Sequence, residues 1–151
     1  MNCLDVEQIM DLALLEAKKA ISEGEVPIGA VIVKEDEIIA FAHNNKEKKL
    51  DVSSHAEIEA IKIAAKKLNR WDLSDCSLFV TLEPCLMCAG AIKQSRIKSI
   101  YFGAKDIQYG CESKYGLFSA KDNYTSPLIF GGIKENECKK ILDDFFKDKR
   151  K

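Results

Sequence analysis

Histidine is scarce in this chain: His43 and His55 are the only two among 151 residues. A site built from several imidazoles is therefore excluded, and any metal centre must draw most of its donors from other residue types. Long apolar runs are absent as well. None reaches the roughly 18 to 20 residues that span a bilayer, so no membrane partner is expected. The stretch from Met1 to Glu7 carries two acidic residues and no basic one, which does not read as a secretory signal. The expected compartment is the cytoplasm. Neither sign of charge dominates: 23 Lys and Arg stand against 24 Asp and Glu, a net charge of −1, with a pI near 6.2. That balance does not mark a general nucleic-acid binder, so an RNA partner would have to be met by local basic patches.

There is no internal repeat, low-complexity tract or obvious linker, and a single domain over 1–151 is expected. A chain of this length can bury most of its apolar surface without a disulfide or a metal to stabilise it. Hydrophobic residues at 46% and charged residues at 31% are ordinary for a globular protein. The six cysteines, lacking a secretory context, read as reduced thiols or metal ligands and not as a disulfide framework.

Apolar residues at Ile9, Leu12, Ala13, Ala17, Ala20 and Ile21 keep helical period and predict a helix from about Val6 to Glu23, stopped by Gly24. Val26 to Val33 is too short and too β-branched for a helix and predicts a strand. Ile38 to Ala42 predicts its hairpin partner across an acidic turn. A polar loop from His43 to Ser53 follows. Ser54 then caps a helix to about Leu68, with Glu57 at capping-box spacing. Ser77–Thr81 is a third strand, Pro84 opens a helix to about Gln94, and Ile97–Phe102 is a fourth strand. The stretch from Gly103 to Tyr124 reads as loop with room for a short helix. Leu128–Ile133 is a candidate last strand, and Lys134 to about Lys147 a closing amphipathic helix. Strands three and four, joined through a helix, should be parallel. The fold class expected is α/β, a three-layer α/β/α sandwich around a mixed five-stranded sheet.

Three features stand close to helix starts: His55-Ala56-Glu57, Glu83-Pro84-Cys85, and Cys88. Zinc accepts imidazole nitrogen and thiolate sulfur tetrahedrally, and a catalytic site uses three protein ligands with the fourth position open. One His and two Cys meet that count. Cys85 and Cys88 are three apart and share one helical face. With Pro84 at the first helical position, both thiols fall in the opening turn, where the helix dipole favours thiolate. His55 and Glu57 are two apart and would diverge on a helix flank. A metal lying off the helix end can be reached from both sides, so two helix N-termini are expected to converge on one ion. A redox C-x-x-C would not need the H-x-E, and a closed structural zinc site would need a fourth ligand that is missing. Glu57 has the plainer reading of a capping carboxylate. Cys3, Cys76, Cys111 and Cys138 have no spacing that recruits them.

H-x-E followed by P-C-x-x-C is the signature of zinc nucleobase deaminases. Beyond that core, the sequence resembles the bacterial tRNA adenosine deaminases over nearly its whole length. The matching stretches are Glu25-Val26-Pro27-Ile28-Gly29-Ala30-Val31, His55-Ala56-Glu57-Ile58, Thr81 to Ile92, Ser95-Arg96-Ile97, Phe102-Gly103-Ala104-Lys105-Asp106 and Asp144-Phe145-Phe146. The resemblance implies a cytidine deaminase-like fold, one Zn2+ per subunit on His55, Cys85 and Cys88, and Glu57 as the catalytic proton shuttle. It also implies a homodimer that turns adenosine into inosine at the first anticodon (wobble) position of tRNA.

For the substrate it implies Asn44 holding the flipped purine and Ile28 and Leu82 packing on the base. Ala56 would line the pocket, Asp106 would sit near the ribose, and Phe146 would border the pocket from the last helix. Plainer readings stand beside these: core residues for Ile28 and Leu82, a turn residue for Asn44, a loop cap for Asp106, an amphipathic face for Phe146. Candidate RNA contacts are Lys46, Lys48 and Lys49 in the loop before His55, Lys105, and the tail Lys147, Lys149 and Arg150 (with Lys151). The tail equally fits basic residues complementing a helix dipole. The chain departs from the family at Gln108, where lysine is frequent, at Cys111, and at Gly24. Fewer positive charges there bear on the tRNA footprint and not on the chemistry.

The reaction expected is hydrolytic loss of ammonia from C6 of adenine, with zinc lowering the pKa of water and Glu57 moving protons. The alternative is a free-base or nucleoside deaminase, of guanine or cytosine type, on the same scaffold. The Phe102–Asp106 segment and the last helix argue for the tRNA branch. A silent zinc-stabilised RNA-binding subunit is the reading from another class, and it would have no chemical need of Glu57.

Overall fold

Asp5 starts the first helix, α1 (Val6–Ser22). Its carboxylate accepts from Gln8 N at 2.8 Å while Gln8 Oε1 accepts from Asp5 N at 2.9 Å, a reciprocal cap that satisfies two otherwise orphaned amides. The computed structural model describes residues 4–124 and 126–149. Cys3, Arg150 and Lys151, named above, lie outside the described residues. The chain leaves α1 through Gly24, whose φ of +75° is the left-handed conformation glycine adopts without strain.

The first strand, β1 (Gly29–Lys34), begins three residues later than the β-branched run suggests. Val26-Pro27-Ile28 makes a tight turn instead, with Ile28 N donating to Val26 O at 2.9 Å. At Gly29 a Cβ would collide with the Ala13 carbonyl of α1, so only glycine lets helix and strand lie this close. β2 (Glu37–His43) pairs antiparallel with β1, with a bulge between Ile32 and Val33. A one-turn helix, α2 (Lys46–Lys49), sits where only loop was expected. Its cause is distant in sequence: the Glu25 carboxylate accepts from Glu47 N at 2.9 Å and Lys48 N at 2.7 Å.

α3 (Ala56–Leu68) has His55, not Ser54, as its N-cap. Ser54 N donates to Asp51 O in the preceding turn, so Ser54 belongs to the loop and the expected capping box does not form. β3 (Cys76–Leu82) leads to α4 (Leu86–Gln94), whose N-cap is Cys85. Pro84 therefore precedes the helix instead of opening it, with its carbonyl accepting from Cys111 N at 2.8 Å. β4 (Ser99–Ala104) lies parallel to β3, and β5 (Leu128–Phe130) parallel to β4. β5 is shorter than expected because Gly131-Gly132 ends it at once. The stretch 105–124 is turns, with no helix among its described residues. The chain closes with α5 (Glu135–Lys149).

The sheet order is β2-β1-β3-β4-β5. β1 runs antiparallel to β3, so the sheet is mixed as expected. Alternate side chains leave each strand on opposite faces. Ala30, Ile32, Leu78, Val80 and Ile100 pack with Ala56, Ala60 and Ala64 of α3 and with Ala89 and Ile92 of α4. Val31, Val33 and Phe79 pack with Ile9, Met10 and Ala13 of α1 and Cys138 of α5. That is the three-layer α/β/α sandwich. Each fully buried Ile or Leu contributes roughly 1.5–3 kcal/mol of transfer free energy. The alanine spine of α3 lets its N-terminus seat tightly over the sheet. No helix among the described residues is long and apolar enough to cross a membrane.

Candidate active site

The site forms at one end of the sheet. Ile28 lies just before β1, Leu82 ends β3, and Asp106 follows β4. The antiparallel pairing of β1 with β3 and the parallel pairing of β3 with β4 bring these three to the same edge. The N-termini of α3 and α4 meet there, so the carboxyl ends of parallel strands carry the ligand-binding edge, as in open α/β sheets generally.

His55 has extended backbone, φ −73° and ψ 157°. Its side chain is therefore freed from the helical spacing that would turn it away from Glu57, the second residue of α3. Cys85 occupies the equivalent cap position of α4, with Cys88 three residues on. The expected convergence of two helix starts is present. Cys85 Sγ is 3.7 Å and Cys88 Sγ 3.6 Å from His55 Nδ1, and the three donor atoms lie within 4.8 Å of one another. A tetrahedral ion with bonds of about 2.3 Å to sulfur and about 2.05 Å to nitrogen separates such atoms by about 3.6 Å. The donor set fits zinc in both chemistry and spacing.

The same geometry sets the protonation of the trio without a cation. Hydrogen bonds from Cys88 and His55 hold the Cys85 thiol down to about 4. Donating to Cys85, and burial, push Cys88 far up, and the bond to Cys85 raises His55. Glu57 is 4% exposed, and burial pushes its carboxyl up to about 7. A carboxyl poised there can take and return a proton near neutral pH. Of the remaining thiols, burial pushes Cys111 and Cys138 up to about 12 and Cys76 to about 11, which leaves them inert.

A cavity of about 310 Å³ opens beside the donors, lined by Ile28, His55, Glu57, Leu82, Cys85 and Asp106 among the expected residues, with Cys88 buried out of its wall. Glu83, Leu86, Tyr109 and Tyr115 complete its wall. Asp106 also shows its plainer reading: Oδ1 accepts from Gln108 N at 3.1 Å and Tyr109 N at 2.9 Å, capping its own turn. Asn44 is buried behind the wall, donating N–H to Ile28 O at 3.0 Å. Its side-chain Oδ1 has no protein partner among the described residues. Ala56 is buried in the core, leaving only its backbone near the site. Phe146 does not line the cavity. It sits on α5, which packs on β4, β3 and α1 in the opposite layer, edge-to-face with Phe145. Lys147 and Lys149 share that helix. Lys46, Lys48, Lys49 and Lys105 are exposed, but Lys49 Nζ is held by Glu59 at 2.6 Å. Lys46 is near enough to the site to oppose the charge on His55.

Sequence reasoning named Glu83 only as part of the Glu83-Pro84-Cys85 motif, with no role of its own, and passed over Leu86, Tyr109 and Tyr115. Glu83 and Leu86 flank the motif cysteines, and that adjacency was a usable signal. The two tyrosines come from the aperiodic glycine-bearing stretch, where nothing local foretells which side chains turn inward.

The family model of MafB19-like deaminases matches residues 4–150. A tRNA-specific adenosine deaminase of Agrobacterium fabrum is 43% identical over 142 residues, 93% of each chain. One of Bacillus subtilis is 43% identical over 146 residues, 96% of this chain and 91% of that one. A solved structure from work on A-to-I editing by tRNA:A34 deaminases at the wobble position superposes with a TM-score of 0.86 at 42% identity, covering 88% of this chain and 97% of the other. With the fold, the donor trio and the identity running along nearly all of its length, this chain belongs to the tRNA-specific adenosine deaminase family of deaminase enzymes.

Proposed function

We propose that this protein is a zinc-dependent, single-domain cytoplasmic enzyme that deaminates adenosine to inosine at the first anticodon position of tRNA, working as a homodimer. The observation that carries the reading is the convergence of the His55, Cys85 and Cys88 donors at a cavity whose wall holds His55, Cys85 and a buried carboxyl, Glu57. His55 Nδ1 and the two thiolates would hold the ion. When bound, zinc supplies the Lewis acidity that brings the pKa of water towards about 7. Glu57 would take one proton from the attacking water and deliver it to N1 of adenine, then take the second from the hydroxyl now on C6 and pass it to the amine, so that ammonia leaves and C6 becomes a carbonyl. Its raised pKa suits both directions of transfer. Ile28 and Leu82 offer apolar walls to the base, and Asn44, buried behind them, has a side-chain carbonyl oxygen without a protein partner among the described residues; Ala56, between His55 and Glu57, would offer its backbone alone. Asp106, in the same wall, would face the ribose. An anticodon loop offers a weakly stacked base that is cheap to extrude. Lys46 and Lys48, exposed in the segment before His55, suit its phosphates.

The test offers the purified zinc-loaded protein a tRNA with adenine at the wobble position, beside free adenosine, guanine and cytidine. Inosine in the tRNA alone is expected. Ammonia released only from a free base would overturn the substrate assignment, and failure to bind zinc would overturn the metal assignment.

A further inference from the structure

Glu83, between the end of β3 and Pro84, is 2% exposed. Its carboxylate accepts four hydrogen bonds, all from the segment after β4. The donors are Asp106 N at 3.0 Å, Glu112 N at 3.0 Å, Ser113 N at 2.7 Å and Ser113 Oγ at 2.6 Å. Taking a carboxylate out of water is costly unless its oxygens are satisfied, and here one loop satisfies them. Neither the loop nor the charge is stable in this place without the other.

The backbone reinforces the arrangement. Glu83 N donates to Ala104 O at 2.9 Å, Cys111 N to Pro84 O at 2.8 Å, and Gly110 N to Asp106 O at 2.7 Å. Gly110 permits it, since a Cβ there would land on the Glu83 carboxylate and the Asp106 carbonyl. The loop so gripped carries Asp106 and Tyr109 into the cavity wall. The residue doing the gripping is two positions from Cys85, one of the metal donors. Glu83 thus joins the wall facing the substrate to the β3–α4 link that presents Cys85 and Cys88.

The geometry points to Glu83 as a positioning residue that clamps the 106–113 loop at a fixed distance from the Cys85–Cys88 pair, and so sets substrate affinity without taking part in proton transfer. This rests on the deaminase reading for its kinetic consequence and on the hydrogen bonds alone for the clamp.

Glu83→Gln keeps the shape but turns an amide donor towards backbone N–H groups that need an acceptor. In the zinc-loaded variant, hydrogen exchange at the amides of Asp106, Glu112 and Ser113 should accelerate at least about tenfold, the size expected for losing one charge-assisted bond. Amides of β3 and α3 should stay protected. KM for an anticodon stem-loop with wobble adenine should rise about tenfold while kcat stays within about twofold, because Glu57 is untouched. Zinc content should not change. Ser113→Ala removes one donor and leaves the carboxylate, so it should shift KM the same way by less, and it carries the test if Glu83→Gln does not fold. Unchanged exchange at the three amides, protection lost evenly through the chain, or a fall in kcat at constant KM would each overturn the proposal. A wild-type protein inactive on the stem-loop would instead sink the deaminase reading, and the exchange measurement would still decide the clamp.

Discussion

Glu57→Gln separates the chemical role of this residue from its structural cost. In the metal-free protein, burial moves the Glu57 carboxyl from 4.5 up to about 7. A carboxyl whose pKa is higher folded than unfolded favours the folded state at low pH, fully so below 4.5. That contribution is lost as pH rises through about 7. The interval between the two values is worth on the order of 3 kcal/mol, and most of it is lost between about pH 5 and 8. Glutamine has the same shape and does not titrate. Metal-free Glu57→Gln should therefore gain on metal-free wild type as pH rises, by up to about 3 kcal/mol at pH 8.5. That is about 10 °C in melting temperature for a chain of this size.

The difference between the two pH values is the quantity to read, because any fixed cost of burying the amide cancels in it. Urea denaturation of both metal-free proteins at pH 5 and pH 8.5 measures it directly. Parallel pH dependence of the two proteins would show that Glu57 is not held protonated by burial. Zinc-loaded Glu57→Gln should keep its metal and lose turnover. Near-normal activity would remove Glu57 from proton transfer altogether.

Zinc must displace the proton that Cys88 retains and the one whose affinity is raised on His55. Binding should therefore release protons near pH 7 and weaken as pH falls, seen as a buffer-dependent enthalpy in calorimetry; buffer-independent heat would contradict the protonation pattern. Lys46→Ala with Lys48→Ala should reduce the slope of log affinity against log salt for tRNA by about 1.4, at about 0.7 per phosphate contact to a single strand. Adding Lys49→Ala should change it less, because Lys49 is already paired with Glu59; equal increments from all three would refute that distinction. Gly29→Ala should destabilise by about 1–3 kcal/mol through overpacking against the Ala13 carbonyl, read as a lowered melting temperature. An unchanged melting temperature would mean α1 can move aside.

What the sequence made legible was whatever is local or periodic. The strands β1, β3 and β4 show as short β-branched runs, and α1 shows through its 3.6-residue spacing. The metal trio shows because one of only two histidines and a C-x-x-C pair stand at helix starts. The errors fall where a cause lies far along the chain. α2 exists because Glu25, twenty-two residues before Glu47, accepts its amides. Ser54 does not cap α3 because its carbonyl accepts from Asn45 N at 2.9 Å, nine residues back, and His55 takes the cap position.

The same distinction explains the limits of the site reading. His55, Cys85 and Glu57 take their places from caps and first turns, which depend on a few neighbouring residues. Asp106, Tyr109 and Tyr115 take theirs from a loop whose shape is set by a carboxylate more than twenty residues upstream. The metal end of the cavity is thus built by helix geometry and the substrate end by a buried charge. Changes that retune substrate choice within this fold are expected along 106–115, while changes at the two helix starts should remove the chemistry outright. Phe146 and the α5 lysines, in the layer behind the sheet, can take part only with a ligand long enough to reach around its edge, as a tRNA is and a free base is not.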